Sequence, residues 1–174
     1  MGVCIRAYSR MTITPEHERQ NKHWCDLRET EDHYVAFTDG FPHSLRGLTE
    51  GRCYAPTPDT KTHEILDMSY TGYNGWREEL TRAVHRCEPE KIWRNKDTNL
   101  ALYEIINFSD CEGYIGPDAA ADLLADFMDD YLHDRYQQHL DASEDTWVKA
   151  LASVWDSWIT GLRLAVDGGL IRYS

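Results

Sequence analysis

Two short stretches of the chain gather the residue types that do chemistry. The first is Ser69-Tyr70-Thr71-Gly72-Tyr73-Asn74-Gly75-Trp76-Arg77. It offers Tyr70, Tyr73 and Trp76 as aromatic faces, Asn74 as an amide and Arg77 as a fixed cation, around two glycines where a helix begins. Aromatic faces stack on bases, a guanidinium pairs with phosphate, and a helix N-terminus favours an anion. These are the parts of a small nucleotide pocket. The same residues admit a second use, in which Tyr70 and Trp76 pack in a core and Arg77 pairs with an acid.

The second stretch, Asn107-Phe108-Ser109-Asp110-Cys111-Glu112, lies between an expected strand and an expected helix. Ligands commonly sit at such strand ends. Asn107, Ser109, Asp110 and Glu112 are the candidate ligand contacts, with the two carboxylates able to accept ribose hydroxyl or base amino hydrogens. Two other readings stand beside this one: an acid pairs with Arg77 and ties the two stretches together, or the segment is a hydrogen-bonded turn. Catalytic equipment is sparser. Cys111 lies between two carboxylates, which raise a thiol pKa, and no histidine stands at a telling distance in sequence. Asp110 and Glu112 with His63 or Glu64 are the only metal set to consider, and no HExxH, CxxC or DxDxDG pattern supports it. The expectation is binding without turnover, with no catalytic residue, metal or cofactor assigned.

The elements that must position these residues follow from periodicity and punctuation. Val3–Tyr8 alternates as a strand, His33–Thr38 and Gly51–Ala55 read as two more, 14–32 as a loop or a short irregular helix, and 87–98 as a loop. Asn74 is the expected N-cap of a helix running to about His85. Ala101–Phe108 reads as a central strand. Pro117 suits a first helical position, and one helix is expected to about Leu140, with Asp118, Asp122, Asp126, Asp130 and Asp134 along one side. Ser143 is the expected cap of a last helix bearing Trp147, Leu151, Val154, Trp158, Leu162 and Ala165, and Leu170–Tyr173 a closing strand. The sum is a single α+β domain over residues 1–174, a small and mostly antiparallel sheet packed by about three helices.

Composition bounds the partners. The chain of 174 residues carries a net charge of −12, and its aromatic content of 11% argues for a folded domain. The charge is uneven. Residues 1–100 hold 14 Lys+Arg and 16 Asp+Glu, whereas residues 101–174 hold 4 and 14. A broad nucleic-acid-binding surface is therefore excluded, while a phosphate near Arg77 is not. Carboxylates four residues apart on a helix lie about 6 Å apart, near the spacing of DNA phosphates, so the acidic helix reads either as a solvated face or as a DNA mimic. No window is long and apolar enough for a membrane helix, and MGVCIRAYSR is not a signal peptide. Five scattered cysteines suit a reducing cytoplasm. Trp147, Trp155 and Trp158 exceed what one small core needs, which points to a homo-oligomer interface.

Ser69–Arg77 and Ile106–Pro117 also carry a family resemblance. The chain resembles an uncharacterised family of small proteins found in bacteriophage genomes and in bacteria, many of them prophage-bearing. Its members carry Ser-Tyr-x-Gly-Tyr-Asn-x-Trp-Arg and Ile-Asn-Phe-Ser-Asp-Cys-Glu-Gly-x-Ile-Gly-Pro. They open with Met-Gly-Leu-Asp-Ile, where this chain has Met-Gly-Val-Cys-Ile and so lacks the acid at position 4. The match runs through almost the whole chain and ends loosely at Gly168-Gly169-Leu170-Ile171. The resemblance implies a phage context and brings no settled activity. With the aromatic and arginine residues above, it leads to the expectation of a cytoplasmic phage-type protein that sequesters a nucleotide-derived host immune signal. An acidic inhibitor of a host factor and a nucleotide phosphodiesterase are the alternatives.

Overall fold

The computed structural model describes residues 2–13, 34–35, 42–95, 97–108 and 113–174. Strand β1 (Gly2–Tyr8) is followed by the short strands β2 (Thr12–Ile13), β3 (Tyr34–Val35) and β4 (Cys53–Ala55), then by β5 (Thr62–Ser69). Helices α1 (Tyr70–His85), α2 (Pro89–Asn95) and α3 (Tyr103–Asn107) come next, then β6 (Gly113–Ile115). Helices α4 (Pro117–Phe127), α5 (Asp130–Ala142), α6 (Thr146–Ala150) and α7 (Ala152–Val166) precede the last strand, β7 (Leu170–Tyr173). The fold is α+β. Its main sheet is antiparallel in the order β5-β1-β7-β6, and a smaller sheet runs β2-β4-β3.

Alternation in β1 sends Val3, Ile5 and Ala7 to one face of the main sheet, where α7 lies across β5, β1 and β7. Gly161 makes that approach possible, since a Cβ there would stand 2.4 Å from Ile65 Cδ1 and 3.2 Å from Ala7 Cβ. Trp158 of α7 is fully buried and stacks on Trp76 of α1 at 5.8 Å. Trp155 is buried against Phe127 and donates from Nε1 to Phe127 O at 3.0 Å. Of the three tryptophans from which an interface contribution is expected, Trp155 and Trp158 are thus core residues of their own chain, and Trp147 is substantially exposed. The opposite sheet face packs Tyr8, Tyr114 and Leu170 against Leu45 and Tyr54 of the smaller layer.

Several expected elements are corrected. Ala101–Phe108 is not a strand: Leu102 sits in the left-handed region at φ 58°, and the chain then turns into α3. Tyr103, Ile105 and Ile106 in this short helix, and Phe108 at its end, are buried as they would be in a central strand, so the apolar run alone does not separate the two. The long helix from Pro117 breaks at Met128, and Asp129 caps α5 by accepting from Leu132 N at 3.1 Å. Helix α1 begins four residues before Asn74, with Ser69 Oγ accepting from Gly72 N. Asp145, not Ser143, caps the helix that follows α5, and Pro89 opens α2 in what reads as a loop. The extended region expected over 33–38 contains β3, and its remaining residues lie outside those described.

Candidate functional site

The first motif folds inward. Arg77 is 1% exposed. Its Nε donates to Ile105 O at 3.2 Å, its Nη1 to Asn74 Oδ1 at 2.7 Å, and its Nη2 to Ile106 O. Ile105 and Ile106 belong to the last turn of α3, where carbonyls have no partner within the helix, so the guanidinium serves as a cationic cap. Burial lowers the Arg77 pKa. Tyr73 lies beneath it, with Arg77 Cζ 5.5 Å from the ring centre, and donates its hydroxyl to Phe108 O at 2.8 Å. Burial pushes the Tyr73 hydroxyl up to about 12. Trp76 donates from Nε1 to Tyr136 Oη at 3.3 Å, and Tyr136 donates on to Leu151 O at 3.0 Å.

Three of the five expected ligand contacts in this motif, Tyr73, Trp76 and Arg77, therefore face the core and hold α1, α3 and α5 together. Tyr70 is 40% exposed and Asn74 is half-buried. Gly75 serves packing as well: a Cβ there would meet the Trp147 indole at 2.8 Å. In the second motif Asn107 is half-buried, while Ser109, Asp110, Cys111 and Glu112 lie outside the described residues. Tyr73 reaches the second motif at Phe108 O and Arg77 holds the Ile105 and Ile106 carbonyls just before it, while the expected pairing of Arg77 with Asp110 or Glu112 falls outside the described residues.

A cleft of about 420 Å³ opens elsewhere, lined by His43, Arg46, Thr98, Asn99, Leu100, Glu104, Asp122 and Asp126. Three distant segments build it. The 3-10 turn Pro42–Leu45 and Arg46 are strapped to the start of α4 by Gly116 N donating to Ser44 O and Asp118 N to Arg46 O. Glu104 stands in the first turn of α3. Asp122 and Asp126 lie one turn apart on α4 and so share a face. Arg46 spans the cleft, donating to Asp122 Oδ2 at 2.6 Å, to Glu104 Oε1 at 2.9 Å and to His43 O at 3.1 Å. Asp126 Oδ2 accepts from Leu102 N at 2.7 Å, which holds the left-handed residue that turns the chain into α3.

Burial pushes the Glu104 carboxyl up despite the Arg46 guanidinium beside it, and burial with neighbouring carboxylates does the same to Asp126. The acidic row is consequently not one uniform solvated face. Asp122 is paired, Asp126 is turned inward, and the helix break ends the four-residue repeat before Asp130. This counts against a phosphate-like array. Among the described residues no three His, Cys, Asp or Glu side chains are arranged to hold a metal ion.

One further pair resembles catalytic equipment. His63 Nε2 lies 3.0 Å from Ser157 Oγ, but that hydroxyl donates to Ile65 O at 2.8 Å. Its proton is directed away from the imidazole, so the histidine does not act on it as a base. Sequence reasoning singled out Asp122 and Asp126 only as members of a charge row, and it missed Arg46 and Glu104. The one local signal was the i, i+4 spacing of the two aspartates. No helix among the described residues is long and apolar enough to cross a membrane. No family model, curated protein or solved structure matches the chain.

Proposed function

We propose that the protein captures a small nucleotide-derived molecule and holds it unchanged, in the manner of phage proteins that sequester a host immune signal. The observation that carries this reading is the 420 Å³ cleft, of a volume that suits a nucleoside, with polar side chains from three segments converging on it. The phage context comes from the resemblance of the two motifs. The ligand seat differs from the one expected around Arg77. The sugar or base enters the acidic cleft, and the phosphates remain at its mouth, because carboxylate walls repel them.

The test is to incubate the full-length protein with cyclic dinucleotides, cyclic oligonucleotides and ADP-ribose-type signals, remove free ligand, heat-denature and analyse the supernatant by chromatography and mass spectrometry. Intact ligand recovered in proportion to protein is the expected result. A cleaved product would replace sequestration with hydrolysis, and failure to retain any of these ligands would overturn the proposal.

A further inference from the structure

We propose that the cleft reads a planar pair of N–H donors, and that the ligand supplies them as the base edge of guanine. This rests on the binding function proposed above and names the part of the ligand that enters. The argument begins with which hydrogen-bonding groups the cavity leaves over. Arg46 directs Nε, Nη1 and Nη2 at the oxygens of His43, Asp122 and Glu104. The Leu102 N–H is taken by Asp126, and Asn99 Nδ2 by Asp97 Oδ1 at 3.1 Å. These donors are thus taken, while the carboxylates of Glu104, Asp122 and Asp126 carry more lone pairs than they use. An entering group that brings donors of its own meets these lone pairs, and a phosphate brings none.

Geometry narrows the donors further. Glu104 is 8% exposed, fixed on α3 and open to the cavity, and together with Asp122 it holds the flat N–H fork of a guanidinium. The N1–H and N2–H₂ of guanine form the same planar fork without the charge. Adenine instead presents the N1 lone pair to a carboxylate, which repels it. Arg46 itself is 40% exposed, on the strap that precedes α4, so it can swing outward while Glu104 stays. The guanine edge then takes the place of the Arg46 guanidinium on Glu104 and Asp122. A free alkylguanidine offers the same fork, so the measurement must separate the two sources.

Calorimetric titration of the full-length protein with guanosine, adenosine and agmatine does so. Guanosine is expected to bind, with adenosine at least about tenfold weaker. Glu104→Gln, nearly isosteric, should weaken guanosine by about tenfold or more, and Asp122→Asn should act in the same direction. Arg46→Ala should strengthen guanosine by removing the internal competitor. Asp141→Asn, on the exposed side of α5, should change nothing. Melting curves of each variant separate lost binding from lost folding. Equal binding of adenosine, or guanosine binding indifferent to Glu104→Gln and Asp122→Asn, would overturn the guanine edge while leaving sequestration standing. Binding of agmatine alone would overturn the guanine edge, and binding of none of the three together with no signal retained in the preceding experiment would overturn both.

Discussion

Arg77 separates two uses of the same residue, a ligand contact or a cap inside the fold, and its replacement by Met distinguishes them. The variant keeps most of the side-chain volume and removes the guanidinium. Ile105 O, Ile106 O and Asn74 Oδ1 each lose a donor, and the two carbonyls belong to buried residues at the end of α3. A hydrogen bond to a charged donor is worth roughly 1.5–3 kcal/mol, which gives about 3–6 kcal/mol for the two carbonyls. Part of that is returned, because a buried cation is itself expensive to hold out of water. The net expectation is a loss of about 2–4 kcal/mol. In a chain of 174 residues this lowers the melting temperature by about 4–16 °C.

Urea unfolding followed by tryptophan fluorescence, which the buried Trp76, Trp155 and Trp158 report, measures the loss directly. Arg77→Lys is expected to fall between wild type and Arg77→Met, because one ammonium cannot reach two carbonyls and an amide in the fork geometry of a guanidinium. A loss below about 1 kcal/mol in Arg77→Met, with ligand retention abolished, would refute the capping role and return Arg77 to the ligand.

Three other outcomes follow from named contacts. Gly161→Val places branched carbons against Ile65 and Ala7, so it should destabilise by about 1–3 kcal/mol or more, read by thermal melting; an unchanged melting temperature would contradict the close approach of α7 to the sheet. Asp129→Ala removes the side chain that accepts from Leu132 N and should cost about 1 kcal/mol in urea unfolding, whereas a continuous helix through Met128 would make the change neutral or stabilising. Burial raises the Glu104 carboxyl above its unfolded value, so the folded protein keeps this proton to higher pH than the unfolded chain does. Stability from this group is fullest at low pH and is lost as pH rises through the raised value; Glu104→Gln should therefore flatten the stability profile on the neutral side of the ordinary carboxylate range, and an unaltered slope would contradict the assignment.

The sequence made some elements legible and hid others for identifiable reasons. Strand β1 alternates cleanly, and Pro117 marks the start of α4 because its missing N–H costs nothing there. Strand β5 escaped notice because a bulge interrupts it: Ile5 pairs with Leu66 and Arg6 with Glu64, so Ile65 is an extra residue and two consecutive side chains are buried. Asp129 is a good cap, but it stands inside an unbroken periodic run, where a helix stop is not expected. Aromatic and arginine residues around two glycines are equally apt for a nucleotide and for a core, and only burial decides between them. The cleft was the least legible feature, because Arg46 and Glu104 are 58 residues apart and no local pattern joins them.

The motif and the cleft are nevertheless connected, through α3. Arg77 and Tyr73 fix the C-terminal end of that five-residue helix, and Asp126 fixes the turn that opens it by holding the Leu102 N–H. Glu104 lies between these two anchors, so its position in the cleft is set from both sides. The first motif thus supports the cleft without lining it. The same connection changes the meaning of the acidic charge. Asp122 and Asp126, in the most acidic part of the chain, are committed to Arg46 and Leu102, where they shape a concave surface rather than a uniform anionic one. A variant of Arg77 that still folds should therefore weaken ligand binding indirectly, by loosening Glu104. That loss should be shared by substitutions at Tyr73, which never reaches the cleft lining, and absent from substitutions of the exposed acids on α5.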